Sequence, residues 1–259
     1  MSKPLIVETD DRGVVTLTLD RPRQHNALDA ALIAALLAAC EDIDKDASVR
    51  VVVLTGAGKS FCAGADLKYM QDMVNADAAA NREDANRLAR MLNTLYGLGR
   101  PTIARVNGAA FGGGVGLIAC CDYAIAASDV SLALSESRLG LVPATISPYV
   151  INAIGPRRAK QYFMNSAKMD AAEAQRIGLV DRSAEPTGLD EAVDELARQL
   201  LACGPLAITE CKRLVHHLVP IREEAMEYTS ELIARIRTSA EGQEGMLAFL
   251  EKRKPRWQL

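Results

Sequence analysis

Five of the chain's 18 glycines fall within nine consecutive residues, at Gly108, Gly112, Gly113, Gly114 and Gly116. They follow a short apolar run at 102–106, long enough for a strand, and lead into an apolar segment predicted to be helical from about Gly113. Glycine admits positive φ and lets a second backbone or a ligand come close. At a helix start, unpaired N–H groups and the positive end of the helix dipole also face whatever lies beyond. A second turn has the same plan. The strand-like run at 49–54 leads through Gly56-Ala57-Gly58 into Ser60-Phe61-Cys62-Ala63-Gly64-Ala65-Asp66-Leu67, with a helix predicted after Ala65. Two such turns side by side would form an oxyanion hole, a set of N–H donors for developing negative charge. Tight strand–helix packing demands the same small residues, and spacing alone leaves both readings open.

Two phosphate-loop readings fail. Gly58-Lys59-Ser60 looks like the end of a Walker loop, but the glycine required five residues before Gly58 is Val53. A dinucleotide fingerprint counted from Gly112 meets Leu117 where its last glycine belongs. A third segment, Ser135-Glu136-Ser137-Arg138, precedes Leu139-Gly140-Leu141-Val142-Pro143. A carboxylate between apolar segments is suited to general acid–base work at a raised pKa. Solvation of Glu136, or an ion pair with Arg138, is the plainer alternative.

Composition narrows the field further. Of 259 residues, 49% are apolar and 24% charged, which suits one large core and excludes disordered, collagen-like and coiled-coil classes. A net charge of -3 and 4% aromatics give neither an electrostatic nor a stacking basis for nucleic-acid binding. The apolar run at 30–40 is too short to span a bilayer, so no membrane association is expected. Residues 1–11 lack the basic and apolar stretches of a secretory signal, so a cytoplasmic location is expected. The six cysteines form no CxxC pair and read as buried free thiols. The three histidines have no metal-ligand spacing, so no metal site is expected.

Along the chain, an opening hairpin at 5–8 and 14–19 precedes a helix capped by Asp29 and running to about 44. Strands at 49–54, 102–106 and 123–127 then alternate with helices after Ala65, at 78–98 and from Gly113. Beyond 155 the pattern is helical, at 157–165, 171–177, 189–202, 207–217, 222–239 and 245–252. The order predicts an α/β core followed by a helical part.

These segments together resemble the crotonase superfamily, the enoyl-CoA hydratase/isomerases. The resemblance runs through Arg21-Pro22, Asn26-Ala27-Leu28, 61–67, 107–116, Glu136, Gly140, Pro143, 174–180 and 249–252, nearly the whole chain. It implies an α/β spiral of ββα units (the ClpP/crotonase-like fold) over 1–195, and a C-terminal helical trimerisation region over 196–259. It also implies a homotrimer or dimer of trimers. The substrate would be an acyl-CoA whose thioester oxygen is held by the N–H groups of Ala65 and Gly113. Ala63, Ala65, Asp66, Leu67 and Lys68 would line the CoA arm, with Phe249 and Lys252 reaching its nucleotide end. Coenzyme A is then part of the substrate, and no further cofactor is expected. Glu136 matches the second of the two hydratase glutamates, whereas the first falls at Gly116, which has no carboxylate.

The stretch 134–149 and the tail 233–257 resemble bacterial methylglutaconyl-CoA hydratases more closely, and also isohexenylglutaconyl-CoA hydratases of acyclic terpene breakdown. The implied reaction is hydration of 3-methylglutaconyl-CoA in leucine catabolism. A single-glutamate enoyl-CoA isomerase is the alternative. An RNA-binding role or a non-catalytic CoA-binding role are readings from other classes. A dicarboxylic substrate needs a cation for its distal carboxylate, for which Lys68 and Arg138 are candidates only by their nearness to the motifs.

Overall fold

The computed structural model describes residues 3–258. Its strands are β1 (Leu5–Thr9), β2 (Val14–Leu19), β3 (Val51–Gly56), β4 (Ser60–Cys62), β5 (Thr102–Val106), β6 (Ala109–Phe111), β7 (Tyr123–Ala127), β8 (Leu132–Ala133) and β9 (Arg182–Ala184). The helices of the first half are α1 (Ala30–Lys45), α2 (Leu67–Val74), α3 (Ala78–Tyr96) and α4 (Gly113–Cys120). They are followed by α5 (Ser147–Ile154), α6 (Pro156–Asn165), α7 (Ala171–Ile177), α8 (Leu189–Leu201), α9 (Pro205–Leu218), α10 (Glu223–Arg237) and α11 (Ala240–Leu250).

A six-stranded sheet has the order β1-β2-β3-β5-β7-β9, and a three-stranded sheet the order β4-β6-β8. β1 and β2 form the predicted antiparallel hairpin; the other strand–strand pairings among the described residues are parallel, and an isolated antiparallel bridge joins Leu132 to Met169. Strand β3, VVVLTG, is buried at all six positions, as a strand covered on both faces of a parallel sheet must be. At the edge, β1 buries only Leu5.

The chain repeats one manoeuvre three times. A strand of the large sheet is followed by a short strand of the small sheet and then by a helix. The units are β3-β4-α2, β5-β6-α4 and β7-β8 with a 3₁₀ turn at Glu136–Leu139. This is the expected spiral of ββα units. Because β4, β6 and β8 run parallel and adjacent, their C-terminal ends lie together.

The sequence reading placed Ser60–Cys62 and Ala109–Phe111 inside turns; both are strands of the small sheet. Three residues give too little periodicity to register. Helix α5 was not anticipated, and α11 starts at Ala240 rather than at 245, because Ser239 caps it by accepting from the Gly242 N–H at 3.0 Å. The cysteines also need correction: Cys40, Cys62 and Cys120 are buried, but Cys203 and Cys211 are exposed on the helical part.

The main core gathers both sheets against α1, α3, α4 and α5, with Phe61, Leu36, Met91 and Tyr149 fully buried. A smaller apolar cluster stands apart. It joins Met70 and Val74 of α2 and Ala85 of α3 to Leu139, Leu141, Val142 and Ala144, with Ile233 and Ile236 of α10 and Met246 of α11. Helix α10 packs along α3, while α11 packs on α2 and the Glu136 turn. Among the described residues, no helix is long and apolar enough to cross a membrane.

Candidate active site

The site assembles where the three short strands end. After β4 come Ala63-Gly64-Ala65, after β6 Gly112-Gly113, and after β8 Leu134-Ser135-Glu136. Gly64 has φ +88, and a Cβ there would stand 2.8 Å from the Phe111 carbonyl oxygen and 3.8 Å from the Gly113 nitrogen. Only a glycine lets these two turns touch. Gly112 also has positive φ, +49, and its N–H donates to the Ala133 carbonyl at 2.9 Å, joining the second turn to the third.

The N–H groups of Ala65 and Gly113 are left over from this arrangement. Around Ala65, the Leu28 N–H donates to Gly64 O at 2.7 Å and the Asp66 N–H to Leu28 O at 2.9 Å. Gly113 opens α4, so its N–H has no carbonyl within that helix. Neither donates to a protein acceptor among the described residues. Ala65 is exposed and Gly113 half-buried, so both donors are open to a ligand.

The first turn is held from below. Asp66 caps α2 by accepting from the Lys68 and Tyr69 N–H groups at 2.9 and 3.3 Å, and it pairs with Arg21 at 3.0 Å. Arg21 also pairs with Asp29 at 2.8 Å and donates to the Ala27 carbonyl. Asn26, fully buried with φ 56, accepts from the Arg21 N–H at 2.9 Å and donates to Ala57 O and Ser60 O at 2.9 and 2.7 Å. Each buried polar group left without its partner costs about 1–3 kcal/mol. Asn26→Ala therefore lowers the urea midpoint sharply, with unchanged m, in equilibrium unfolding.

Glu136 lies against the second turn, at Gly112. Its Oε1 lies 3.0 Å from where a Cβ on Gly112 would stand, and its Oε2 is buried without a hydrogen-bond partner. Burial pushes this carboxyl up to about 7, with a backbone N–H pulling slightly the other way. The alternative of a pair with Arg138 is not what is seen: Arg138 is exposed, and Glu136 Oε2 has no partner among the described residues. The turn is closed by Gly140 at φ 63 and by the Leu141 N–H donating to Glu136 O at 3.0 Å. From behind, α11 lies against it so closely that a Cβ on Gly245 would stand 2.0 Å from the Leu139 carbonyl oxygen. That contact accounts for the glycine at 245, whose role could not be read locally.

A second carboxylate has no room. Gly116 is buried in α4, and a Cβ there would meet Ile146 Cγ2 at 2.2 Å and Cβ at 2.8 Å. Gly116→Glu is therefore expected to lower the melting temperature and bring no gain in turnover, because overpacking typically costs about 1–3 kcal/mol before the charge is counted.

Of the other residues expected to touch CoA, Ala63 lies in the first turn, half-buried, while Leu67 and Lys68 are exposed at the start of α2. Phe249 and Lys252 are exposed at the end of α11, and Lys252 has φ 55. The basic stretch after α11 is partly neutralised, since Arg253 pairs with Glu244 and Glu251, each at 2.6 Å.

Known proteins share this sequence pattern and fold. Residues 9–259 match the profile of the enoyl-CoA hydratase/isomerase family. A crotonyl-CoA hydratase of Syntrophomonas wolfei is 33% identical over 253 residues, covering 96% of both chains. A carnitinyl-CoA dehydratase of Salmonella arizonae is 36% identical over 256 residues, again covering 96% of each. The crystal structure of an enoyl-CoA hydratase from Mycobacterium avium superimposes with a TM-score of 0.88 at 35% identity, covering 99% of this chain and 100% of that one. With its spiral of strands, its two facing turns and this match over nearly its full length, the chain belongs to the enoyl-CoA hydratase/isomerase family.

Proposed function

We propose that the protein is an enoyl-CoA hydratase, adding water reversibly to a 2-enoyl-CoA, with 3-methylglutaconyl-CoA of leucine catabolism as its preferred substrate. The observation that carries the reading is a buried carboxyl, Glu136, beside two turns that each offer an unengaged N–H. Addition of the water oxygen to C3 pushes charge through C2 onto the thioester oxygen. The Ala65 and Gly113 N–H groups stabilise that enolate. Glu136 takes the proton from the attacking water and returns one to C2, so the carboxylate ends as it began. A pKa of about 7 suits one group that must both accept and donate near neutral pH.

A second reading rests on Gly116. With no carboxylate there and Ile146 filling the space, a single base that shuttles one proton between C2 and C4 would make the enzyme an enoyl-CoA isomerase. The experiment is loss of the conjugated enoyl-thioester absorbance over crotonyl-, 3-methylglutaconyl- and isohexenylglutaconyl-CoA. Hydration fastest with 3-methylglutaconyl-CoA supports the first reading, and preference for the isohexenyl thioester places the enzyme in acyclic terpene breakdown. Absence of hydration together with double-bond migration in a 3-enoyl-CoA makes it an isomerase.

The same proposal includes a cytoplasmic homotrimer or dimer of trimers. Leu206, Leu214, Val215 and Leu218, exposed on α9, support self-association.

A further inference from the structure

The candidate cations near the motifs do not reach the apolar cluster beside Glu136. Lys68 and Arg138 are exposed, and neither belongs to an element face buried in that cluster. That cluster nevertheless joins the segments that follow Ala65 and Glu136, the place an acyl chain held at those two points would enter. It takes Met70 and Val74 from the helix that follows Ala65, and Leu139 to Ala144 from the segment that follows Glu136. Helices α3, α10 and α11 supply its remaining members, Ala85, Ile233, Ile236 and Met246.

At its margin lies an arginine that the turns around Ala65 and Glu136 do not use. Arg237 ends α10, directly after Ile236 and one helical turn beyond Ile233. Its side chain is only 14% exposed. One guanidinium nitrogen donates to Asp84 Oδ2 at 2.9 Å, and Asp84, beside Ala85 on α3, is 1% exposed. That is the single hydrogen bond from the Arg237 side chain among the described residues, although a guanidinium has five N–H donors. The backbone is pinned as well, since Gln243 donates to the Arg237 carbonyl at 2.7 Å. The other charges around Asp84 do not neutralise the arginine. Arg87 approaches Asp84 Oδ1 at 3.5 Å, adding a second positive charge, while Glu83 pairs with Arg87 on the exposed side. A largely buried cation, fixed by one carboxylate and with most donors unspent, is poised for a second carboxylate.

Building on the hydratase reading, we propose that Arg237 receives an anionic group at the distal end of the acyl chain, with Asp84 holding its guanidinium in orientation. The substrate class is thus a monothioester of a dicarboxylic acid. Its neutral acyl end would thread past Met70, Leu141 and Ile233, and its far carboxylate would meet the Arg237 fork. A simple α3–α10 tie would use the same ion pair, so the test must separate recognition from stability.

Crotonyl-CoA and glutaconyl-CoA differ by one terminal carboxylate, and the ratio of their kcat/KM values is the readout. Wild type is expected to favour glutaconyl-CoA. In Arg237→Gln the ratio should fall about 10- to 100-fold, the range for losing a hydrogen bond to a charged group. The single variant strands a buried Asp84 charge, so the double variant D84N/R237Q, which leaves a neutral hydrogen-bonding pair, guards against misfolding. Its ratio should fall as far. If wild type favours glutaconyl-CoA and the ratio survives in folded R237Q or D84N/R237Q, Arg237 is only a tie and the proposal is overturned. If wild type instead prefers crotonyl-CoA, the dicarboxylic reading itself fails, and this assignment fails with it.

Discussion

Glu136→Gln lowers kcat for hydration by about 10²- to 10⁴-fold, the usual worth of a positioned acid–base group, while CoA-thioester binding stays within a few-fold. Gln keeps the volume and a hydrogen-bonding end, so the turn packed against α11 should persist, and what is lost is the group that can accept and release a proton. The pH dependence follows from the same group. Water activation needs the carboxylate form, so wild-type kcat/KM should rise with pH through about 7 and then level off. The variant should show no such limb. Stability moves the opposite way. Below 4.5 the carboxyl is protonated whether the chain is folded or not, but between 4.5 and about 7 only the folded state retains the proton. Stability contributed by this group therefore falls as pH rises across that window. Glu136→Gln should then raise the melting temperature at pH 8 and leave it unchanged at pH 4. Wild-type turnover in this variant would mean the chemistry belongs to another residue.

Some of this was legible in the residues and some could not have been. The glycine runs at 108–116 and 56–64 announce themselves, because no other residue tolerates positive φ with a carbonyl 2.8 Å from where a Cβ would be. Some regular elements are equally plain: β5, β7 and α7 run over the predicted residues. Glu136 is different. Its local surroundings suggested acid–base work but left solvation and pairing open, and only the resemblance favoured the first. What seals it in is the alignment of β8 beside β6 and the approach of α11, both contacts between residues far apart in sequence. Arg237 carries no local signal at all. Among Arg235, Ile236 and Arg237 nothing says which arginine turns inward; that depends on how α10 lies along α3 and where Asp84 falls. Nearness in sequence did not foretell burial either, since Lys68 and Arg138 adjoin the motifs and are exposed. The small strands β4 and β6 hid for a simpler reason, being three residues each.

Gly112→Ala should cost about 10²- to 10³-fold in kcat, the range for loss of one oxyanion donor, although it adds a single methyl group. Gly112 has φ 49 and ψ −113, a conformation that side chains strongly resist. Holding another residue there costs on the order of 1–3 kcal/mol. The backbone can relieve that strain by rotating the peptide that carries the Gly113 N–H, which turns the donor away from the thioester oxygen. Staying put is no better, because the new Cβ would stand 3.0 Å from Glu136 Oε1 and press on the carboxyl proposed to do the acid–base work. Either response damages the step in which enolate charge forms, so kcat should suffer more than KM. The comparison that isolates the site is Gly155→Ala. Gly155 also has positive φ, 77, but no atom lies within 4 Å of its Cβ position. It should lose stability by a similar amount and keep its turnover. Equal kcat losses in both variants would mean that strain alone, wherever it sits, slows the enzyme. A loss confined to Gly112→Ala ties the chemistry to the junction where the second and third turns meet.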